Sequence, residues 1–256
     1  MGRLFAVIWQ TFAILRRDKI FLPAAACGGL TLTLAHLASL WGIEEYNKIL
    51  YDIGTAGFHI TGAVVAILWG TKMVADSRQD GSIEVQLASP VSRTTWMLGK
   101  FLGLALALVM LGGVLIVFWQ GLLVSHGFKP FEYKSMVILP MLMIGWLILA
   151  ATAVFFAAMT SQAVAMFSCL CAWMIGLLAM PISNVLPPET PEMTRQVVFT
   201  VARIWDLGRF NLGPYAFMTT FPSGTEIMWL AAYGFFLVGT LLSLGCIFFS
   251  RRDLIG

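Results

Sequence analysis

The chain has 256 residues, 59% hydrophobic and 11% charged, with a formal net charge of +3 and a mean hydropathy of +0.85. A soluble domain carries about 25% charged residues, so this chain has too little polar surface to face water on all sides. That excludes an ordinary soluble enzyme, and nothing in the charge balance calls for a nucleic-acid partner.

The first segment, 3–17, gathers Leu4, Phe5, Val7, Ile8, Phe12 and Leu15 on one helical face, while Arg3, Gln10 and Arg17 recur every seven residues on the other. This pattern predicts an amphipathic helix lying in the membrane interface, basic residues toward the headgroups. Arg16-Arg17-Asp18-Lys19 and Pro23 then predict a bend between two separate helices.

Six stretches free of Asp, Glu, Lys and Arg follow: Ile20–Trp41, Ile53–Thr71, Phe101–Val124, Met136–Met159, Ala163–Pro181 and Ile227–Phe249, 131 residues in all. A spanning helix needs roughly 20 apolar residues, so all six qualify, and unbroken runs argue against a transmembrane β-barrel. The first run is too long for a signal-peptide core and stays a span. The expected class is all-α: six transmembrane helices in one membrane domain, 1–256. With the N-terminus inside, the inner segments hold ten Lys and Arg and the outer ones six, which places both termini in the cytoplasm.

The richest loop is the inner segment 76–93. Asp80-Gly81 makes a turn, and Ile83 and Leu87 form an apolar knob flanked by Glu84, with the short helix stopped at Pro90. Such a projecting helix suits docking on a cytosolic partner, and an ordinary solvated loop fits the same residues equally. Ser92 is placed to cap the third span, whose Lys100 can snorkel to the interface.

The run Asp80-Gly81-Ser82-Ile83-Glu84, with Pro90-Val91-Ser92-Arg93 and Leu98-Gly99-Lys100, resembles the coupling segment of ABC type-2 permeases. The amphipathic N-terminal helix, the six spans and the C-terminal Phe249-Ser250-Arg251-Arg252-Asp253-Leu254 fit the same family. In style the chain is similar to the permease of the nitrous-oxide-reductase maturation exporter, and haem-exporter-type permeases share a similar Asp-Gly-Ser stretch. The resemblance implies a bacterial inner-membrane permease working as a homodimer, or with a similar permease, on two cytosolic ABC ATPase subunits. ATP and Mg would then belong to the partner, touching this chain through Asp80, Gly81, Ile83, Glu84, Leu87 and Pro90. Membrane lipids and a periplasmic protein complete the expected partners.

The chain itself has no Gly-x-x-x-x-Gly-Lys-Ser/Thr, so nucleotide is handled elsewhere. It offers no catalytic, cofactor or metal constellation: His-Glu-x-x-His and Gly-x-Ser-x-Gly are absent. Cys27, Cys169, Cys171 and Cys246 fall in apolar spans as packing residues.

The outer loop 184–226 predicts short helices at or dipping into the outer leaflet. Thr190 is expected as an N-cap with Pro191 first in the helix, Val198, Val201, Ala202 and Trp205 form one stripe, and a second piece runs from Tyr215 to Phe221. Val198, Trp205, Tyr215 and Phe221 read either as an outer gate or as a cap that seals the fold. Inside the spans, His36, His59 and Gln120 are candidates for a translocation path, His36 and His59 at matching depth, although such groups commonly bond a neighbouring backbone.

The emptiness of the spans favours export of an apolar or amphipathic cargo. A small metal or sulfur species for metalloenzyme maturation is the runner-up cargo, and a non-transporting scaffold or assembly factor the alternative role. The charge asymmetry makes a direct prediction: single cysteines at Ser82 and Asn211, in a cysteine-free background, label from opposite sides of the membrane. Labelling of both by an impermeant outside reagent overturns the topology.

Overall fold

The computed structural model describes residues 2–41, 46–79, 92–129, 131–187, 190–218 and 220–251. Eight α-helices occur among them: α1 Gly2–Arg16, α2 Phe21–Ser39, α3 Tyr46–Gln79, α4 Arg93–Ser125, α5 Tyr133–Met159, α6 Gln162–Val185, α7 Glu192–Ile204 and α8 Gly224–Arg251. Two 3-10 turns, Leu207–Phe210 and Gly213–Phe217, sit between α7 and α8. No strand is present among the described residues, and the class is all-α as expected. Five helices, α2, α3, α4, α5 and α8, are long and apolar enough to cross a membrane. The remaining expected span, α6, has 24 residues, about 36 Å at 1.5 Å per residue, with a shorter apolar stretch over Gln162–Leu178.

The helices overrun the apolar runs that announce them. α3 continues past Thr71 to Gln79, and α4 begins at Arg93, eight residues before Phe101. Residues 76–79 of the expected coupling loop are therefore helical. Ser92 caps α4 as expected, its Oγ accepting from the Thr95 amide at 3.1 Å. Asp80, Gly81, Ile83, Glu84, Leu87 and Pro90 lie outside the described residues.

Between α1 and α2 the chain turns at Arg17–Ile20, the bend the sequence announces. Asp18 organises it, accepting from the Ile20 amide at 2.9 Å and pairing with Lys72 of α3 at 2.9 Å. Burial pushes its carboxyl up, but the Lys72 ammonium and the Ile20 amide pull it down further, so it sits below the usual carboxylate range. The packed stripe of α1 centres on buried Thr11 and Leu15, while Phe5 of the predicted apolar face stays exposed. The reason lies on α4, where Gly99 and Gly103, four apart, admit the α1 backbone: a Cβ at Gly103 would stand 2.8 Å from the Ile8 carbonyl, and one at Gly99 2.7 Å from Val7. Small residues at this spacing let helices approach without side chains between them.

The centre of the bundle is α5, most of whose residues are buried. It packs on α3 through two notches, because a Cβ at Gly62 would fall inside the Trp146 indole and one at Gly70 only 2.7 Å from Ala153. Trp146 is fully buried, stacks on Phe58 with centroids 4.5 Å apart, and donates from Nε1 to the His59 carbonyl at 3.2 Å. Eight residues turn a helix by about 80° beyond two full turns. Gly54 accordingly faces α4 instead, receiving Trp119 in the same manner. At the other end of α4, Trp96 stacks on Phe249 of α8, and Gly245 of α8 lies against Met97.

Filling the Gly62 notch has nowhere to push but the α3 backbone. Gly62→Leu is expected to destabilise by at least the ~1–3 kcal/mol of ordinary overpacking, read as a lower melting temperature and loss of the monodisperse peak in detergent. Gly62→Ala combined with Trp146→Phe is expected to cost less than the sum of the two single changes. Additive costs would mean that the two residues do not share the contact.

Candidate functional site

The end of the bundle away from 80–91 carries the densest set of candidate residues. α7 starts one residue later than its sequence signals: Pro191 is the N-cap, and the Thr190 hydroxyl donates instead to the Pro187 carbonyl at 2.7 Å. Of the stripe, Ala202 is buried, Val198 and Trp205 are half-buried, and Val201 is exposed. Trp205 fixes α7 to α6 by donating from Nε1 to the Ala172 carbonyl at 2.7 Å.

In place of the expected second helix over 215–221 stands a 3-10 turn, Gly213–Phe217, with Pro214 in its first turn, and another, Leu207–Phe210, precedes it. These turns form a plug. Leu207, Phe210, Leu212 and Ala216 are all buried, and the plug docks on glycines of two helices and offers a glycine of its own to a third. Leu207 lies 2.7 Å from the position of a Cβ at Gly176 of α6, Phe210 2.9 Å from that at Gly234 of α8, and Thr55 of α3 2.5 Å from that at Gly213 of the plug itself. Lys134 of α5 donates to the Ala216 carbonyl at 2.6 Å, and Phe217 meets Tyr51 of α3 edge to face.

Asp206, 7% exposed, pairs with Arg209 through its Nε at 2.8 Å. Beside this pair opens a cavity of about 880 Å³ between the end of α6, the plug and the start of α8. Its wall is mainly apolar, from Leu177, Met180, Leu212, Ile227 and Leu230, with Tyr215 and Phe221 of the expected gate on its lining and Asp206, Arg209 and Glu226 as its charged groups. Glu226 is committed to a capping box, its carboxylate accepting from the Ser223 amide at 2.8 Å. A cavity of this volume lies within the usual range of about 300–1,000 Å³ for small-molecule sites. Its combination of apolar wall and few charges suits an amphipathic molecule.

The polar candidates within the spans are dispersed. The structure pairs His36 Nδ1 with His126 Nε2 at the end of α4, correcting the expectation that His36 and His59 meet. The reason is rotational: His59 lies on the α3 face that carries the Trp146 contact. Its ring is buried and receives Trp173 Nε1 at 3.4 Å, leaving Nδ1 buried without a partner. Gln120 is spent on the α4–α5 connection, donating to Ser135 at 2.9 Å and accepting from the Phe131 amide at 3.2 Å, where Phe131 has φ of 56°. Among the described residues no group of three or more His, Cys, Asp or Glu could hold a metal ion.

Sequence reasoning missed Thr55, Lys134, Asp206 and Arg209 as parts of the outer end. The signal available was glycine: Gly176 and Gly234, isolated in apolar helices, mark close approach of other chain. The fold is that of a multi-pass helical membrane protein. A family model described as ABC-2 family transporter protein matches residues 33–250, and the chain belongs to that family. Its members are membrane subunits of ABC transporters, which implies an ATPase partner and excludes a catalytic enzyme in this chain. No curated relative matches the chain.

Burial and the neighbouring His36 hold the His126 imidazole below the ordinary histidine range. A histidine depressed in the folded state gives stability that is present above its unfolded pKa, about 6.5, and is lost as pH falls through the folded value. The melting temperature in detergent is therefore expected to fall between about pH 7 and about pH 5, with a smaller fall in His126→Gln. Equal slopes in both proteins would remove the His36–His126 contact from stability.

Proposed function

We propose that this chain is the permease subunit of an ATP-driven exporter in the cell membrane, moving an apolar or amphipathic cargo. Separate ATPase subunits dock on the 80–91 segment, and a second permease copy, or a similar permease, completes the pathway. The observation that carries the cargo class is the engagement of the polar groups inside the spans. Trp173 holds His59, Ser135 and Phe131 hold Gln120, and His126 holds His36. A hydrated ion or sugar needs converging polar groups to replace its water, and here most of those groups are in use within the chain. The buried atoms left over, His59 Nδ1 and the indole N–H groups of Trp69 and Trp119, sit on separate elements or faces and do not converge. The outer cavity beside Arg209 supports the same reading as a place where an amphiphile rests before release.

In this reading the plug is the outer gate, and its closest approach supplies the test. A Cβ on Gly213 would stand 3.2 Å from Thr55 Cβ, near the Cβ separation of a disulfide. In a cysteine-free background, Thr55→Cys with Gly213→Cys is expected to cross-link on oxidation. Transport into proteoliposomes by the full complex should then stop and return with reductant. Full cross-linking with transport unchanged would assign the plug to sealing the fold.

Coupling is tested separately. Gly81→Val and Glu84→Arg are expected to lower cargo-stimulated ATP hydrolysis while the permease still inserts. Loss of one charge-assisted contact of about 1.5–3 kcal/mol corresponds to about 10- to 100-fold weaker association with the ATPase. Unchanged stimulation in both variants would remove 80–91 from the mechanism. Stimulation by copper or thiol compounds alone, with none by amphipathic lipids or peptides, would overturn the cargo class.

A further inference from the structure

At the opposite end of the bundle a second, smaller pocket of about 280 Å³ lies between α1 and the feet of α3 and α4. Gln10, Thr11, Ile14 and Leu15 line it from α1, Asp18 from the turn, Lys72, Met73, Asp76 and Ser77 from α3, and Lys100 from α4. Lys100 is 8% exposed, held by its stem and by Trp96, whose ring centre lies 5.4 Å from Nζ. No hydrogen bond or ion pair from the described residues reaches its ammonium. Asp76 is likewise without a hydrogen bond or ion pair, while Asp18 and Lys72 satisfy each other at 2.9 Å.

The stem of Lys100 is buried while its ammonium opens on the pocket, so an anion that enters reaches it without displacing a protein acceptor. The pocket carries two cations and two anions, and once Asp18 and Lys72 are paired the remainder is one ammonium and one carboxylate that attract each other without closing to an ion pair. A simple anion would satisfy Lys100 and meet repulsion from Asp76. The ligand that matches both carries a phosphate for Lys100 and an N–H-bearing cation for Asp76. The location decides the source: Ile14 lines the pocket and is 54% exposed, on an interfacial helix that also exposes Phe5 and Trp9. An acyl chain leaving the pocket would run along that apolar surface.

We propose that this pocket binds the headgroup of a zwitterionic phospholipid bearing a primary ammonium, with the phosphate on Lys100 and the ammonium on Asp76. The bound lipid closes the gap between the interfacial helix and the bases of the two helices that flank 80–91. It is a fixed lipid of the permease, distinct from any cargo in the outer cavity.

The test is lipid retention by the purified, delipidated complex, read by native mass spectrometry. The probes are phosphatidylethanolamine, phosphatidylcholine and phosphatidylglycerol with matched acyl chains. Phosphatidylethanolamine is expected to be retained at one per permease, about tenfold more strongly than the other two, the factor that one charged hydrogen bond supplies. Lys100→Met and Asp76→Asn are each expected to abolish that preference, and Lys100→Arg to keep it. Equal retention of the three lipids by the wild-type complex, which requires no variant, overturns the proposal, as does a preference that survives Lys100→Met. Full competition by soluble phosphoethanolamine at equal concentration overturns the membrane lipid as the occupant.

Discussion

The insertion of Trp146 into the side of α3 is the contact on which the bundle depends. Lipid tails are as apolar as leucine, so helices in a bilayer gain nothing from hiding hydrophobic surface and must associate through close packing and hydrogen bonds. The Gly62 notch supplies the first and the Nε1 bond to the His59 carbonyl the second. Once α5 is set on α3, Gly54 positions α4 through Trp119, and α8 closes on α5 and the start of α4. The same contact fixes the face on which His59 points, which is why its ring meets Trp173 of α6.

The two ends of this frame are built differently. At the 80–91 end, charges are concentrated around a short turn, with Asp18 joining the interfacial helix to α3. At the far end, the seal is made by apolar residues pressed on glycines, with Lys134 and the Asp206–Arg209 pair tying down the backbone. In the proposed reading the ATPase acts on the charged end, and the apolar end holds back the contents of the pathway. The two ends are joined by α3, which runs unbroken from Tyr46, near the plug's contact at Thr55, to Gln79.

Much of the architecture is legible in the sequence because lipid imposes a strict length and polarity rule on each span. The apolar runs mark the helices, and Arg16 to Lys19 marks the bend. What the runs do not mark is where helices end outside the membrane, so α3 and α4 extend beyond them: once the chain leaves lipid, charged residues no longer argue against helix. The outer end was legible only in part. Periodicity found α7, but its cap fell one residue late at Pro191, and the plug escaped because 3-10 turns have no long apolar period. His36 and His59 share a depth in the sequence, yet depth says nothing about rotation around a helix axis, and the two rings point to different neighbours.

The docking of the plug on α3, α6 and α8 at once has a consequence for the cell as well as for the cargo. An energised membrane stores an ion gradient, and any wide pathway left ajar through it would discharge that gradient. Leu207, Phe210, Leu212 and Ala216 fill the gap between the helices with side chains that offer a proton or sodium ion no stepping stone. Three separate helices must shift before that filling can loosen. As the proposed outer gate, the plug would leave the resting permease electrically insulating through side-chain fit alone.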